Sequence, residues 1–469
     1  MIEGMLPRST PSAAGVDAQG VRDFVRAATD SGLELHSLMI VRGGAVVAQG
    51  WWEPYTPDGT ALVYSLSKML TSTAVGIAVG EGLLDLDATV SEALGDHAPA
   101  RAAAWVHRAR VRDLLAMSSG HETDGLEAMM AAVVAGHDPL AAFLTLPAEH
   151  APGEVFTYNQ GCTLTLAAIL ARVTGERLLD WLRPRLLAPL RIDRIAWTPM
   201  PGLTGPTGAG LEQGFSGAQV TTAAIAALGE LWRREGRWRE EQLVPREYLQ
   251  AARSTQIDNT GRHTEPDWQR GYGFQVWRSR HGYRGDGAFG QFGIVMPAQD
   301  AVLVLTASTE RMQEVLDEVW ASLLPAFDRA PDAGDGLAER LASLRLPTVW
   351  GERGGPVGLS FENRTNRWRL VDDADGWQLR WVDQYGGDHQ LPVGFGEWRT
   401  GTMRWSGRTL RVAASGAWVG WGHWVGHVVA LDAPHSLLVR LRDDGSGRTE
   451  WVGPKPLGAD SLYGLAPVD

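Results

Sequence analysis

The chain has 469 residues, 44% of them hydrophobic, and a formal net charge of −12. That length and composition predict two or three domains with sizeable cores. The negative balance, with arginines scattered rather than clustered, argues against nucleic acid or an anionic membrane surface as the main partner.

The N-terminal residues Met1 to Arg8 show no basic stretch followed by a long apolar run, and no window approaches a membrane-spanning length, so a cytoplasmic protein with no membrane partner is expected. Cys162 is the single cysteine, which excludes an internal disulfide and a thiolate metal cluster and reads as a small buried hydrophobe. Helices are expected near 17–30, 65–80, 110–117, 139–146, 162–174, 178–187, 221–235 and 309–326. The runs Ser37 to Val41 and Ala45 to Ala48 flank Arg42-Gly43-Gly44 and read as a β-hairpin. Further strands are expected over Tyr272 to Trp277, Phe292 to Val295 and Val302 to Thr306. Strands at both ends of this region with helices between them predict one sheet assembled from its two ends, carrying a helical insertion.

After residue 330 the composition changes. Pro331 to Gly336 reads as a linker, a short helix follows through Leu344, and from about 348 the pattern is strand, turn, strand, with ten of the twenty tryptophans. A small β-sandwich or barrel is expected there. Trp418, Trp421, His423, Trp424 and His427 could serve a metal or a sugar, but the absence of any other ligand pattern favours core packing.

The chemistry is concentrated at Ser65 and Lys68. Of the 43 basic residues 41 are Arg, and Lys68 and Lys455 are the two Lys. Arg stays protonated in a protein, whereas a buried Lys can become a neutral amine that accepts a proton. A serine hydroxyl needs such a base to act as a nucleophile. On a helix over 65–80 the two side chains share a face, and the Ser65 N–H at the first turn is free to act as one half of an oxyanion hole. The competing reading is a helix-capping Ser followed by a solvated Lys. Tyr158, on a turn-rich loop before the helix from Cys162, could move protons near a cationic Lys, or simply edge the core. The segment Tyr283 to Gln291 contains G-x-G-x-x-G, but it precedes a strand, so a dinucleotide site is excluded. Its small residues would let substrate backbone lie close and offer a second oxyanion donor. No Ser stands in G-x-S-x-G, no H-E-x-x-H occurs, and His121 reads as a structural loop residue.

Ser65-x-x-Lys68, Tyr158-x-Gln160 and the glycine-rich run at 285–290, in this order, resemble the serine β-lactamase and penicillin-binding-protein-like superfamily, on its class C and esterase side. Supporting stretches are Tyr64 to Lys68, Glu81 to Asp87, Leu114 to His121, Pro152-Gly153, and Thr174-Gly175 through Pro189-Leu190. The resemblance spans about residues 6–330; the part after 345 resembles β domains appended to some members. It implies an α/β (α+β) fold, an antiparallel sheet flanked by helices with an all-helical insertion at about 82–215. The domains implied are 1–330, a linker at 331–346 and an all-β domain at 347–469. It also implies an acylated nucleophile Ser65, a base Lys68, proton transfer by Tyr158, and no metal or organic cofactor. The oxyanion hole would combine the N–H groups of Ser65 and of a 286–289 residue, Phe289 in preference to Ala288. Asn159, Gln160, Asp286, Gly287 and Ala288 would contact substrate. Two departures stand out. Gln160 occupies a place where many relatives carry Asn, so its role could pass to Asn159. Asp286 occupies a place where relatives that bind penicillins or C-terminal carboxylates often carry a cation, although Arg284 could supply one. A small ester or amide is therefore the expected substrate, with a D-aminopeptidase-like activity included. A β-lactamase, a DD-peptidase, or a sensor or scaffold that binds β-lactams without turnover are the alternatives. The oligomeric state is left open.

Overall fold

The computed structural model describes residues 5–332, 336–356, 358–362, 366–373, 376–383, 387–405, 407–457 and 462–467; the middle of the expected linker, 333–335, lies outside them. Helix α1 (Ala18–Asp30) begins where the Asp17 carboxylate accepts the N–H of Gln19, satisfying one of the free donors of a helix start. The hairpin forms as β1 (Leu35–Arg42) and β2 (Ala45–Trp51), with Gly43 and Gly44 at φ 59° and 83° in the left-handed region that its turn requires. A short strand, β3 (Thr60–Leu62), leads into α2 (Ser67–Gly80). After the helical region come α3 (Gln160–Thr174), β4 (Ala218–Thr221) and α4 (Thr222–Arg233). Four strands follow, β5 (Trp277–Ser279), β6 (Gly282–Gly287), β7 (Gln291–Met296) and β8 (Ala301–Ala307).

The main sheet is antiparallel with order β5-β6-β7-β8-β1-β2, so strands from the two ends of the region lie side by side, Ile40 opposite Leu303. Seven of the eight β1 residues are buried, as its continuous apolar run demands. Helix α4 packs across β1, β7 and β8, and α2 runs beside β6, which brings Ser65 to the sheet.

Two expectations need correction. The stretch 195–212, inside the expected all-helical insertion, forms strands Ile195–Trp197, Pro199–Thr204 and Gly210–Glu212, because Pro199, Pro201, Gly202, Gly205, Pro206 and Gly208 cannot sustain a helix. The strand expected over 272–277 begins only at Trp277. Gln275 sits at φ 63°, and its amide donates to the carbonyls of Leu114 and Leu115 while its oxygen accepts from Thr163, tying the helical region to the sheet.

Among the described residues, nine strands between Ser360 and Val452 build the C-terminal sheet, whose first and last strands come together as a nearly closed barrel. Trp368, Trp377 and Trp424 are fully buried inside it, with Trp418 close behind. Trp421 departs from the core-packing expectation: it is 98% exposed at the turn between Arg408–Trp418 and His423–Ala430. The barrel core does not end at the barrel. Leu62, Tyr64 and Phe289 belong to the same apolar cluster as Trp368 and Trp424, while Trp398 and Val429 join the core around the main sheet.

No helix among the described residues is long and apolar enough to cross a membrane.

Candidate active site

Ser65 occupies a single 3₁₀ turn, Tyr64–Leu66, that feeds directly into α2. The turn is held from both sides: the Ser67 hydroxyl donates to the Tyr64 carbonyl at 2.6 Å and accepts the Ala218 N–H at 3.0 Å, while the Val63 N–H donates to the Ala218 carbonyl at 2.9 Å. One turn on, Lys68 is 1% exposed.

The surroundings of the Lys68 amine decide its chemistry. Nζ lies 3.1 Å from Ser65 Oγ, 2.7 Å from Gln160 Oε1 and 2.9 Å from the Phe215 carbonyl. A neutral amine has two N–H bonds and one lone pair. The Gln160 and Phe215 oxygens can only accept, so they take the two N–H bonds and leave the lone pair aimed at the Ser65 hydroxyl. Burial pulls the amine down to about 7, against the opposing charges of Asp124 and Asp286. A lysine so buried and so bonded does not fit the reading as a solvated Lys beside a cap.

Tyr158 lies across Lys68, its ring centroid 4.6 Å from Nζ and stacked on Trp277 at 5.2 Å, and it borders the same cleft as Ser65. Burial first, and the Asp286 charge second, push this phenol above its ordinary range, so it keeps its proton. Cys162 is buried behind the site, its thiol pushed up to about 12 by desolvation, and is inert.

The remaining expected residues divide. Gln160 comes to the Lys68 amine, whereas Asn159 does not come to the cleft. Asn159 is fully buried as the cap of α3, its oxygen accepting the N–H groups of Gly161 and Gly125 and its nitrogen donating to the Thr123 carbonyl. The helix start needed that side chain for its own free donors. Asp286 borders the cleft, but its Oδ2 accepts from Arg284 Nε at 2.9 Å. Arg284, considered as a substrate-binding cation, is fully buried with its guanidinium 4.4 Å from the Trp268 ring centre. Ala288 borders the cleft. Phe289, expected as the oxyanion donor, turns its ring into the barrel core and does not border the cleft. Gly287 borders it too, but its missing side chain makes room for the protein's own backbone: a Cβ there would stand 2.0 Å from the Val63 carbonyl oxygen and 3.2 Å from the Leu66 nitrogen. Gly287→Ala is accordingly expected to push the Ser65 turn out of place and lower esterase kcat at least about 100-fold; kcat near wild type in the folded variant rules this packing out. His121 bonds Ser119 and packs between Trp105 and Phe143, away from the cleft, as a structural residue.

Asp124 was invisible in the sequence, where it is one acid in a loop of the helical region. Its carboxylate accepts the Gln160 N–H at 2.8 Å, so it holds the residue whose side-chain oxygen meets Lys68. The cleft itself has a volume of about 940 Å³. Trp268, Trp277, Met312 and Leu457 give it apolar walls, and Glu265 and Glu310 lie at its edge. Trp277 lies at the end of an expected strand, no local pattern marks Trp268, and Leu457 arrives from nearly 400 residues beyond Ser65, a distance that no local pattern spans.

Comparison with known proteins agrees with this fold. The family described as Beta-lactamase matches residues 21–324. The 6-aminohexanoate-dimer hydrolase of Paenarthrobacter ureafaciens is 28% identical over 210 residues, covering 42% of this chain and 51% of that protein, so the chain spans about half the length of this curated relative. Among solved structures, EstCE1, a hydrolase with promiscuous acyltransferase activity, superposes with a TM-score of 0.53 at 18% identity, over 65% of this chain and 98% of its own. SurE with D-Leu superposes with a TM-score of 0.52 at 20% identity, over 91% of this chain and 97% of its own, so that likeness in fold extends past the main sheet. The chain belongs to the Beta-lactamase family.

Proposed function

We propose that this chain is a serine hydrolase that takes the acyl group of a small ester or amide onto Ser65 and passes it to water. The observation that carries the reading is the buried Lys68 amine, 3.1 Å from the Ser65 hydroxyl and held there by two acceptor oxygens. Lys68 takes the Ser65 proton as Oγ bonds to the substrate carbonyl carbon, and the resulting oxyanion is met by the N–H groups of Ser65 and Ala288. As the tetrahedral intermediate collapses, the bond to the leaving group breaks. Tyr158 gives that group its phenolic proton and is reprotonated from the Lys68 ammonium. Water then attacks the acyl carbon, its proton returns through the same pair, and Ser65 leaves with a proton restored. A phenol whose pKa is raised suits a donor that never rests as an anion.

Amide hydrolysis is supported by the name of the 28% identical relative, and an ester asks less of the same machinery. Penicillin-type substrates carry a carboxylate, and the cleft meets it with Asp286 while Arg284 is buried behind it. Domain limits at 330 and 347, and a cytoplasmic location, are part of the same proposal. The test is intact-mass measurement after exposure to a fluorophosphonate, paired with turnover of short-chain p-nitrophenyl esters, D-amino-acid amides and nitrocefin. One adduct on the wild type, none on Ser65→Ala, and esters or amides turned over faster than nitrocefin are expected. An adduct on folded Ser65→Ala removes the nucleophile assignment; nitrocefin turned over faster than the esters moves the reading to a β-lactamase. A lasting β-lactam adduct with no ester turnover makes the protein a sensor.

A further inference from the structure

The two N–H donors of the proposed oxyanion hole are each followed or preceded by a residue with unusual backbone. Tyr64, just before Ser65, has φ 45°, and Phe289, just after Ala288, has φ 68°. Both are bulky L-residues in the left-handed region, which such residues hold only when their surroundings force it. Their rings meet edge to face with centroids 5.2 Å apart. A single side chain from the barrel touches both: the His435 ring lies 5.9 Å from Tyr64 and 5.2 Å from Phe289, edge-on to each.

The hydrogen bonds fix the tautomer of that histidine. His435 Nδ1 lies 2.9 Å from the Pro454 carbonyl, which can only accept, so Nδ1 carries the proton. Nε2 is then an acceptor, and the Tyr64 hydroxyl donates to it at 2.5 Å. Burial lowers the His435 imidazole to about 4, so it stays neutral wherever Lys68 is a base. His435 is 1% exposed and does not border the cleft, so no substrate reaches it.

We propose that His435 is a positioning residue for the oxyanion hole: by holding Tyr64 and Phe289 together it sets the separation and direction of the Ser65 and Ala288 N–H groups. The C-terminal barrel is thereby part of the catalytic apparatus although it supplies no reacting group. The inference rests on the Ser65 mechanism above.

The experiment compares His435→Ala, His435→Gln, Tyr64→Phe and the double variant Tyr64→Phe/His435→Ala in the full chain, on p-nitrophenyl acetate, at a temperature where circular dichroism shows each folded. Donors aimed at the oxyanion act on the transition state and not on the bound ester, so kcat is expected to fall about 10- to 100-fold while KM stays within about twofold. The double variant is expected to lose no more than the worse single, because both changes break one clamp. His435→Gln, whose Oε1 reaches the place of Nε2, is expected to recover part of the lost kcat, and the acid limb of the pH profile set by Lys68 is expected to stay in place. Folded single variants with kcat within about twofold of wild type, losses that multiply in the double variant, or a rise in KM alone overturn the proposal. Tyr64→Phe deletes one oxygen and keeps the test open if the alanine variant does not fold. A fluorophosphonate adduct on Ser65→Ala would sink the mechanism instead, and is read separately.

Discussion

Lys68→Met is expected to leave a folded protein whose kcat/KM for a short-chain ester is lower by about 10³- to 10⁴-fold, matching Ser65→Ala within an order of magnitude, because nucleophile and base act as one unit. Methionine keeps the unbranched apolar stem in its buried channel and removes the lone pair. In the wild type, activity should rise with pH through about 7, the point to which burial pulls the amine, since only the neutral form can take the Ser65 proton. The stability consequence has a definite sign. The folded value lies below the ordinary 10.5, so between those pH values the unfolded chain holds a proton that the folded chain lacks. Wild-type stability, measured by denaturant unfolding against Lys68→Met, should therefore fall as pH drops from about 10.5 to about 7 and change no further below it. A kcat/KM for Lys68→Met within tenfold of wild type, or a flat wild-type pH profile between 5 and 9, is incompatible with lysine as the base.

Removing residues 346–469 is expected to abolish ester turnover and to yield an aggregating or molten chain, not a smaller enzyme. Truncation would uncover Leu62, Tyr64 and Phe289, at about 1.5–3 kcal/mol each. It would also strip Asp432, whose backbone carbonyl accepts the Leu62 N–H at 2.8 Å and whose carboxylate bonds Thr60, together with the Pro434 carbonyl that accepts from Ser308. Summed, these losses rival the roughly 5–15 kcal/mol that keeps a domain folded. Full esterase kcat with a cooperative thermal transition in the truncated chain would show the barrel to be an independent attachment, such as a polymer-binding module.

The local chemistry was legible in the sequence and the long-range chemistry was not. The hairpin, α1, α2, α3, α4 and the serine–lysine spacing follow from periodicity, turn residues and helix geometry, all of which act within a few positions. The assignment of Gln160 over Asn159 depended on which amide the α3 start consumed, and a single sequence leaves both open. Ala288 replaced Phe289 at the cleft because the backbone turns sharply after β6 and sends the larger side chain into another core. Asp124, Leu457 and His435 reach the site only through tertiary packing, and each is an ordinary residue in its own neighbourhood. The strand at 272–277 failed because a glutamine side chain there serves the helices instead of the ladder.

The scarcity of one amino acid gives this protein a built-in spectroscopic reporter. Two ε-amines exist in the whole chain, Lys68 sealed beside Ser65 and Lys455 at the surface. Growth on ε-¹³C-labelled lysine would thus give a carbon spectrum of two lines. The one with a midpoint close to neutrality would follow proton occupancy of the buried amine, through an inhibitor titration or a temperature ramp, in the unaltered polypeptide.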